Sequence, residues 1–408
     1  MKILVALEAH FVSVPGKGIM GLGPLDHAFW TRYLDVFDSV VVLARVGKSP
    51  IGHEGFSISS GPKVEFIELP DFYGPYQYAL NYYQIATLVK NATDRADAYI
   101  LRVPGSIGWL AYKALTKNNK SFALEVVGDP WESLGQNTVR SLVRPMARVL
   151  STLQLKKMCR EAIAVSYVTN CTLQKRYPSR YPANEIGCSS IELDSKFILD
   201  RVPERLSRFA DKNHLGAKKC EPLRIGFIGS FNVMYKAPDV HLVAISKCIK
   251  HGLNVEFSLV GDGKHRSEME IFARDLEIHN HVRFLGQLPP GEPIFEFLDT
   301  LDLYLIASLT EGLPRSLIEA MARGCPAIGA RVGGIPELLE ARYLVEPGDP
   351  EGLAYKIIEI YREKQQLVQM AARNLRKAME YRKDILAERR RIFYTNVRKL
   401  SSAKCRQG

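Results

Sequence analysis

The chain has 408 residues, too many for one ordinary hydrophobic core, and its length suggests two or three domains. With 46% hydrophobic and 24% charged residues it has the balance of a globular chain, which excludes disordered and collagen-like classes. The net charge is +11, and from Arg373 onward twelve Lys or Arg face only Glu380, Asp384 and Glu388. Such a basic tail suits nucleic acid, anionic lipid or simply a solvated helix face.

The opening Met1-Lys-Ile-Leu-Val-Ala-Leu7 reads as a first strand and not as a signal peptide, because Glu8 and His10 follow without a small-residue cleavage site. No apolar stretch approaches the ~18 residues that a transmembrane helix needs. Seven cysteines are dispersed without a C-x-x-C pair, which argues for reduced thiols in a cytosolic protein.

In the first half, apolar runs at Ile3 to Leu7, Ser39 to Leu43, Val64 to Ile67, Ala98 to Leu101, Phe122 to Val127 and Ala162 to Ser166 predict strands. Helical patterns lie between them at Leu25 to Leu34, Tyr76 to Lys90, Ile107 to Thr116 and Val139 to Arg160. This alternation predicts an α/β fold, a parallel sheet covered by helices on both faces. In Val139 to Arg160, arginines recur every four positions beside an apolar side, and Pro145 kinks that helix or delays its start. The apolar side suits packing on the sheet or dipping into an anionic membrane surface.

Gly16-Lys-Gly18-Ile-Met-Gly21 satisfies the dinucleotide fingerprint formally but starts well after the first strand, and the second strand ends in Arg45 where an acid is required. A nicotinamide or flavin enzyme is therefore disfavoured. At the end of the fifth predicted strand, Glu125-Val-Val-Gly-Asp129-Pro130 places Asp129 beyond the strand body, with an Asp-Pro turn as its plainer reading. Arg102 and Ser106 flank Val-Pro-Gly after the preceding strand. The histidines form no triad or metal pattern, and Asp299-Thr-Leu-Asp302 has the wrong spacing to hold a divalent ion on a diphosphate.

A polar passage of about 201–222 reads as a linker between a domain at 1–200 and a second at 223–383. Strands are predicted again at Leu223 to Ile228, Val255 to Val260, Val282 to Leu285, Leu303 to Ile306, Ala327 to Ala330 and Tyr343 to Val345. After the fourth of these comes Glu311-Gly-Leu-Pro-Arg-Ser-Leu-Ile-Glu319, two carboxylates eight positions apart around a strand-to-helix turn. Ser316 to Arg323 reads as a helix ended by Gly324, with Pro314 fitting its first turn. The free amides there suit a phosphate, and carboxylates beside an anion site accept hydrogen bonds from ribose and sugar hydroxyls.

The segment resembles the E-x7-E signature of retaining glycosyltransferase family four. The blocks around it are similar in kind and order: Ile225-Gly-Phe-Ile-Gly229, Lys236, Val260-Gly261-Asp-Gly263, Arg283-Phe-Leu-Gly286 and Gly333-Gly334-Ile-Pro-Glu337. The match covers about Arg224 to Val345. It implies the GT-B architecture, two Rossmann-like domains facing across a cleft, with a helix at 384–408 returning to the first domain. It implies transfer of a hexose-type sugar, with retention, from a nucleoside-diphosphate sugar to a carbohydrate or lipid-linked carbohydrate, in cell-surface polysaccharide synthesis. No cofactor, metal or nucleic acid is implied, and the expected location is the cytoplasm, peripherally at the membrane.

The resemblance assigns Lys236 to the leaving diphosphate, Glu311 to the donor sugar, Glu319 to the ribose, and Asp129 to the acceptor side as a catalytic candidate. Donor contacts would come from Gly229, Ser230, Gly261, Gly263, Arg283, Leu313, Arg315 and Ser316. Gly16, Gly18 and Arg102 would join Asp129 on the acceptor side. Ser230 stands where the family commonly has Arg, which leaves diphosphate charge for Arg315 or Arg331 to meet. Gly333-Gly334 is a second phosphate-cradle candidate. A same-fold phosphorylase or epimerase, or a non-catalytic membrane or assembly protein with a degenerate site, stays open.

Overall fold

The computed structural model describes residues 1–23, 25–49, 56–135, 143–204, 206, 221–363 and 365–405. The chain divides into two compact units, one of Met1–Pro130, Met146–Ser189 and Leu386–Gly408, the other of Trp131–Pro145 and Ser190–Ile385. Residues 207–220, most of the expected linker, and residues 139–142, the expected helix start, lie outside the described residues.

The first unit holds nine strands: β1 (Lys2–Val14), β2 (Gly18–Leu22), β3 (Ser39–Lys48), β4 (Phe56–Ile58), β5 (Val64–Leu69), β6 (Ala98–Val103), β7 (Ala123–Val126), β8 (Val165–Tyr167) and β9 (Glu185–Gly187). The parallel part runs β5-β3-β1-β6-β7-β8-β9. Both faces of β1 are buried, as continuous apolar strands of parallel sheets require. Leu4 and Ala6 meet helices Tyr82–Ala92, Ser106–Lys117 and Arg144–Glu161. Ile3 and Val5 meet helix His27–Leu34 and the last helix, Lys383–Cys405, through Phe393, Tyr394 and Val397.

Three sequence expectations need correction here. The first strand does not stop at Leu7: its register shifts between Ala6 and His10, and it continues to Val14 beside β3 before turning into β2. The Gly16 to Gly21 segment is therefore an antiparallel hairpin, with Gly16 and Gly18 at its turn and not on a loose glycine loop; glycines hid a short strand. The expected helix Tyr76 to Lys90 is two helices, Gly74–Leu80 and Tyr82–Ala92, broken at Asn81, whose side-chain amide donates to the Gln77 carbonyl.

The second unit holds β10 (Leu223–Ile228), β11 (Val255–Val260), β12 (Val282–Gly286), β13 (Leu303–Ile306), β14 (Ala327–Ala330) and β15 (Leu344–Val345). Their order, β12-β11-β10-β13-β14-β15, is parallel throughout. It reverses direction between β10 and β13. At such a switch point the connections leave to opposite faces and open a crevice at the carboxyl ends of the strands.

Candidate functional site

The switch point of the second sheet carries the two charged groups that the sequence singles out. The loop after β10 ends in a tight turn, Met234–Lys236, followed by Ala237 in a left-handed conformation (φ +51°), which aims Lys236 back over the sheet edge. The loop after β13 carries Glu311. Lys236 Nζ donates to Glu311 Oε1 at 2.5 Å, and both side chains are largely buried. A pair this sheltered is screened far less than a surface pair.

Two further groups hold this geometry. Leu309 N–H donates to the Tyr235 carbonyl at 2.7 Å, tying the Glu311 loop to the Lys236 turn. His241, wholly buried on helix Pro238–Lys250, bridges the same two segments. Its Nδ1 lies 2.7 Å from the Ala237 carbonyl, and its Nε2 accepts from Ala307 N–H at 3.0 Å. Burial pushes its pKa down to about 4, and the Ala237 carbonyl offsets part of that. The imidazole is thus neutral, with the proton on Nδ1. Periodicity marks His241 only as a core position, so nothing in the sequence points to this role.

Helix Arg315–Ala322 follows the Glu311 loop, with Pro314 just before it as the capping residue and not in its first turn. The extended backbone of Pro314 leaves the first amides of the helix unpaired within it. Glu319 lies on this helix, and burial pushes its carboxyl up, with Arg315 one turn earlier pulling the other way. Ser316 and the buried Tyr304 hydroxyl lie beside it, while Leu313 is buried under the loop. A Cβ on Gly333 would stand 1.9 Å from the Glu311 carbonyl oxygen, so that backbone approach needs glycine. Gly334 N–H is donated to the Gly312 carbonyl, and Gly333 N–H to Glu132. These two amides brace the Glu311 loop, which corrects the reading of them as a phosphate cradle.

Gly229, Gly261 and Gly263 bring two loops into contact. A Cβ on Gly261 would lie 1.8 Å from the Gly229 carbonyl oxygen. Ser230 spends its hydroxyl on Asn232 N–H at 3.2 Å, capping its own loop. Arg283 stands on the edge strand β12, is well exposed, and turns to Glu256 near the amino end of β11. That orientation takes it away from the carboxyl edge and corrects its place among the donor contacts. Arg331 pairs with Glu346. Asp299 and Asp302 are taken by Arg323 and Arg224. Among the described residues no group of three or more His, Cys, Asp or Glu is placed to hold a metal ion.

In the first unit two expected acceptor-side residues belong to the core. Arg102 donates to Glu125 at 2.6 Å, and the same carboxylate accepts from the hydroxyls of Tyr33 and Tyr394. Burial, with help from Glu125, pushes the Tyr33 phenol up to about 12. Asp129 is 5% exposed, and its carboxylate is held by Tyr177 and Arg176. A carboxylate so engaged is a structural anchor and not an open base.

The polar groups at the carboxyl end of β1 are others. Glu8 accepts from Ser106 Oγ at 2.8 Å and from Ile107 N–H at 2.6 Å, at the start of helix Ser106–Lys117, and pairs with Arg45. His10 Nδ1 lies 2.6 Å from Asp71 Oδ1, and its ring stacks on Tyr73 at 4.3 Å. The pairs span 37 to 99 positions in sequence, so spacing did not reveal them.

The glycosyl transferases group 1 family matches residues 222–363, the segment that contains every second-unit group above. Protein CapJ of Staphylococcus aureus is 30% identical over 327 residues, 79% of this chain and 77% of that protein. The chain belongs to the glycosyl transferases group 1 family. As a group 1 glycosyltransferase it is also 26% identical to the N-acetyl-alpha-D-glucosaminyl L-malate synthase of Bacillus anthracis, over 82% of this chain and 87% of that one. The fold class is GT-B. HepE of Anabaena, solved with UDP-glucose, superposes with a TM-score of 0.62 over 98% of this chain and 100% of its own, at 16% identity.

Proposed function

We propose that this glycosyltransferase moves a hexose-type sugar, with retention and without a metal ion, from a nucleoside diphosphate to a hydroxyl of a carbohydrate or lipid-linked carbohydrate. The observation that carries the reading is the sheltered Lys236–Glu311 pair at the switch point, one strand-to-helix turn from Glu319. Lys236 and the first amides of helix Arg315–Ala322 supply the positive charge that a departing diphosphate demands, the largest electrostatic need of the step. Glu319 accepts from the ribose hydroxyls, and Glu311 orients the sugar and stabilises positive charge at its anomeric carbon. The anomeric carbon–oxygen bond to the phosphate breaks, the acceptor oxygen attacks from the same face, and the acceptor proton passes to the departing phosphate oxygen.

UDP-glucose in the Anabaena structure supports a nucleotide-sugar donor. The family resemblance supports an acceptor of the kind used in cell-surface polysaccharide assembly, in the cytoplasm at an anionic membrane surface. The B. anthracis relative, named for a malate glycoside, supports including a small hydroxy acid among the acceptors tested.

Calorimetric titration with uridine, guanosine and adenosine diphosphates, followed by turnover of the matching donor with and without acceptors, tests the proposal. It expects one nucleotide to bind well and turnover to need an acceptor. Acceptor-independent turnover would favour an epimerase, and no nucleotide binding would favour a degenerate site.

A further inference from the structure

Helix Arg144–Glu161 buries Thr152, Leu155, Met158 and Cys159 against the first sheet, yet it is apolar on its outer side as well. Met146, Val149, Leu150 and Leu153 are 62%, 47%, 49% and 57% exposed. Their spacing, i, i+3, i+4, i+7, puts all four on one stripe about 10 Å long, on the side away from the core. An ordinary covering helix presents polar residues there, so this stripe calls for a partner.

The surroundings of the stripe are basic. The helix itself carries Arg148, Lys156, Lys157 and Arg160 against the single acid Glu161, which is already bonded to Tyr112. Helix Ser106–Lys117, packed against the same sheet face, adds exposed Lys113 and Lys117 and has no acid. Helix Tyr82–Ala92 on that face adds exposed Lys90, again with no acid, and exposed Tyr83.

We infer that this face of the first unit docks on an anionic lipid bilayer, with the four apolar side chains entering the acyl boundary and the lysines and arginines lying among the headgroups. The chemistry selects that occupant. A second copy of the chain placed on the stripe would set these cations against their own images, whereas anionic headgroups satisfy them, each cation contributing on the order of 1 kcal/mol. Long basic side chains beside a short apolar stripe are the composition of an interfacial helix. The inference deepens the proposed function by placing the enzyme where a lipid-linked acceptor resides, but it stands on the helix alone.

Flotation of the full chain with phosphatidylcholine vesicles, with and without phosphatidylglycerol, tests it. The chain should float with phosphatidylglycerol vesicles at low salt and release as salt rises. Leu150→Ser with Leu153→Ser, and separately Lys156→Glu with Lys157→Glu, should each lower vesicle partition at least about tenfold. Donor turnover measured without vesicles should be unchanged in both, which shows them folded and separates this test from that of the transfer reaction. Equal flotation on neutral vesicles, none at low salt, or wild-type flotation of either variant would overturn the inference. So would concentration-dependent self-association that the leucine changes abolish.

Discussion

Lys236 and Glu311 meet across the gap between β10 and β13, with the ammonium 2.5 Å from the carboxylate. Each is mostly shielded from water, and each leaves a different strand end, so the pair also fastens two loops. An incoming diphosphate competes for Lys236 and so frees Glu311 for the sugar. Glu311→Gln should therefore lower turnover about 100-fold or more while changing nucleotide affinity less than about threefold, since its charge matters most as the transition state develops. Parallel turnover and calorimetry check this, and wild-type turnover would count against the role.

Glu319→Gln should weaken nucleotide binding by about 1–3 kcal/mol, the scale of a lost charge-assisted hydrogen bond. The same change should raise the unfolding midpoint at neutral pH, because burial raises the folded pKa of Glu319 above its ordinary value. With the folded pKa above the unfolded one, the native state binds the extra proton, so the penalty of the charged group disappears as pH falls through the raised value. Thermal melts of both proteins between neutral and acid pH should converge. A variant less stable than wild type at every pH would contradict this.

His241 gives a stability prediction of opposite sign. Its folded pKa, about 4, lies below the ordinary 6.5, so between those values the unfolded chain binds more protons and stability falls as pH drops. The loss is complete below about pH 4 and amounts to about 3 kcal/mol. Denaturant titrations should show His241→Gln losing less than wild type over this window, and an identical pH dependence would remove the assignment.

The fold was legible where strands are long, apolar and parallel: the six strands of the second unit lie close to the runs read from the sequence. Short or glycine-bearing strands such as Gly18–Leu22 and Glu185–Gly187 were not, because their pattern is that of a loop. At the site, the spacing of Glu311 and Glu319 and the block carrying Lys236 were visible. Arg102, Arg283 and Asp129 were misplaced because their partners, Glu125, Glu256, Arg176 and Tyr177, come from neighbouring strands or distant helices. His10–Asp71 and the His241 bridge are tertiary contacts of residues with no local signature.

Gly333→Ala should cut turnover at least about tenfold, since its methyl group meets the Glu311 carbonyl and its φ of +50° disfavours a side chain. Gly252→Ala is the control. It also has positive φ, but nothing lies within 4 Å of its added methyl group, so it should cost about 1 kcal/mol of stability and no activity. Equal turnover in the two variants would show that the Glu311 loop does not depend on this contact.

Arg102→Met should lower stability by about 3–5 kcal/mol, because Glu125 is left charged and buried, while turnover per folded molecule stays near wild type. Denaturant melts and active-fraction-corrected rates check this. A selective loss of acceptor use with unchanged stability would return Arg102 to the acceptor side.

The central claim is retaining transfer at the Lys236–Glu311 site, and proton NMR of the product formed during turnover tests it most directly. The account predicts a glycosidic linkage with the anomeric configuration of the donor, formed by the wild type and at least about 100-fold more slowly by Lys236→Met. An inverted linkage, or an undiminished rate in Lys236→Met, would contradict it.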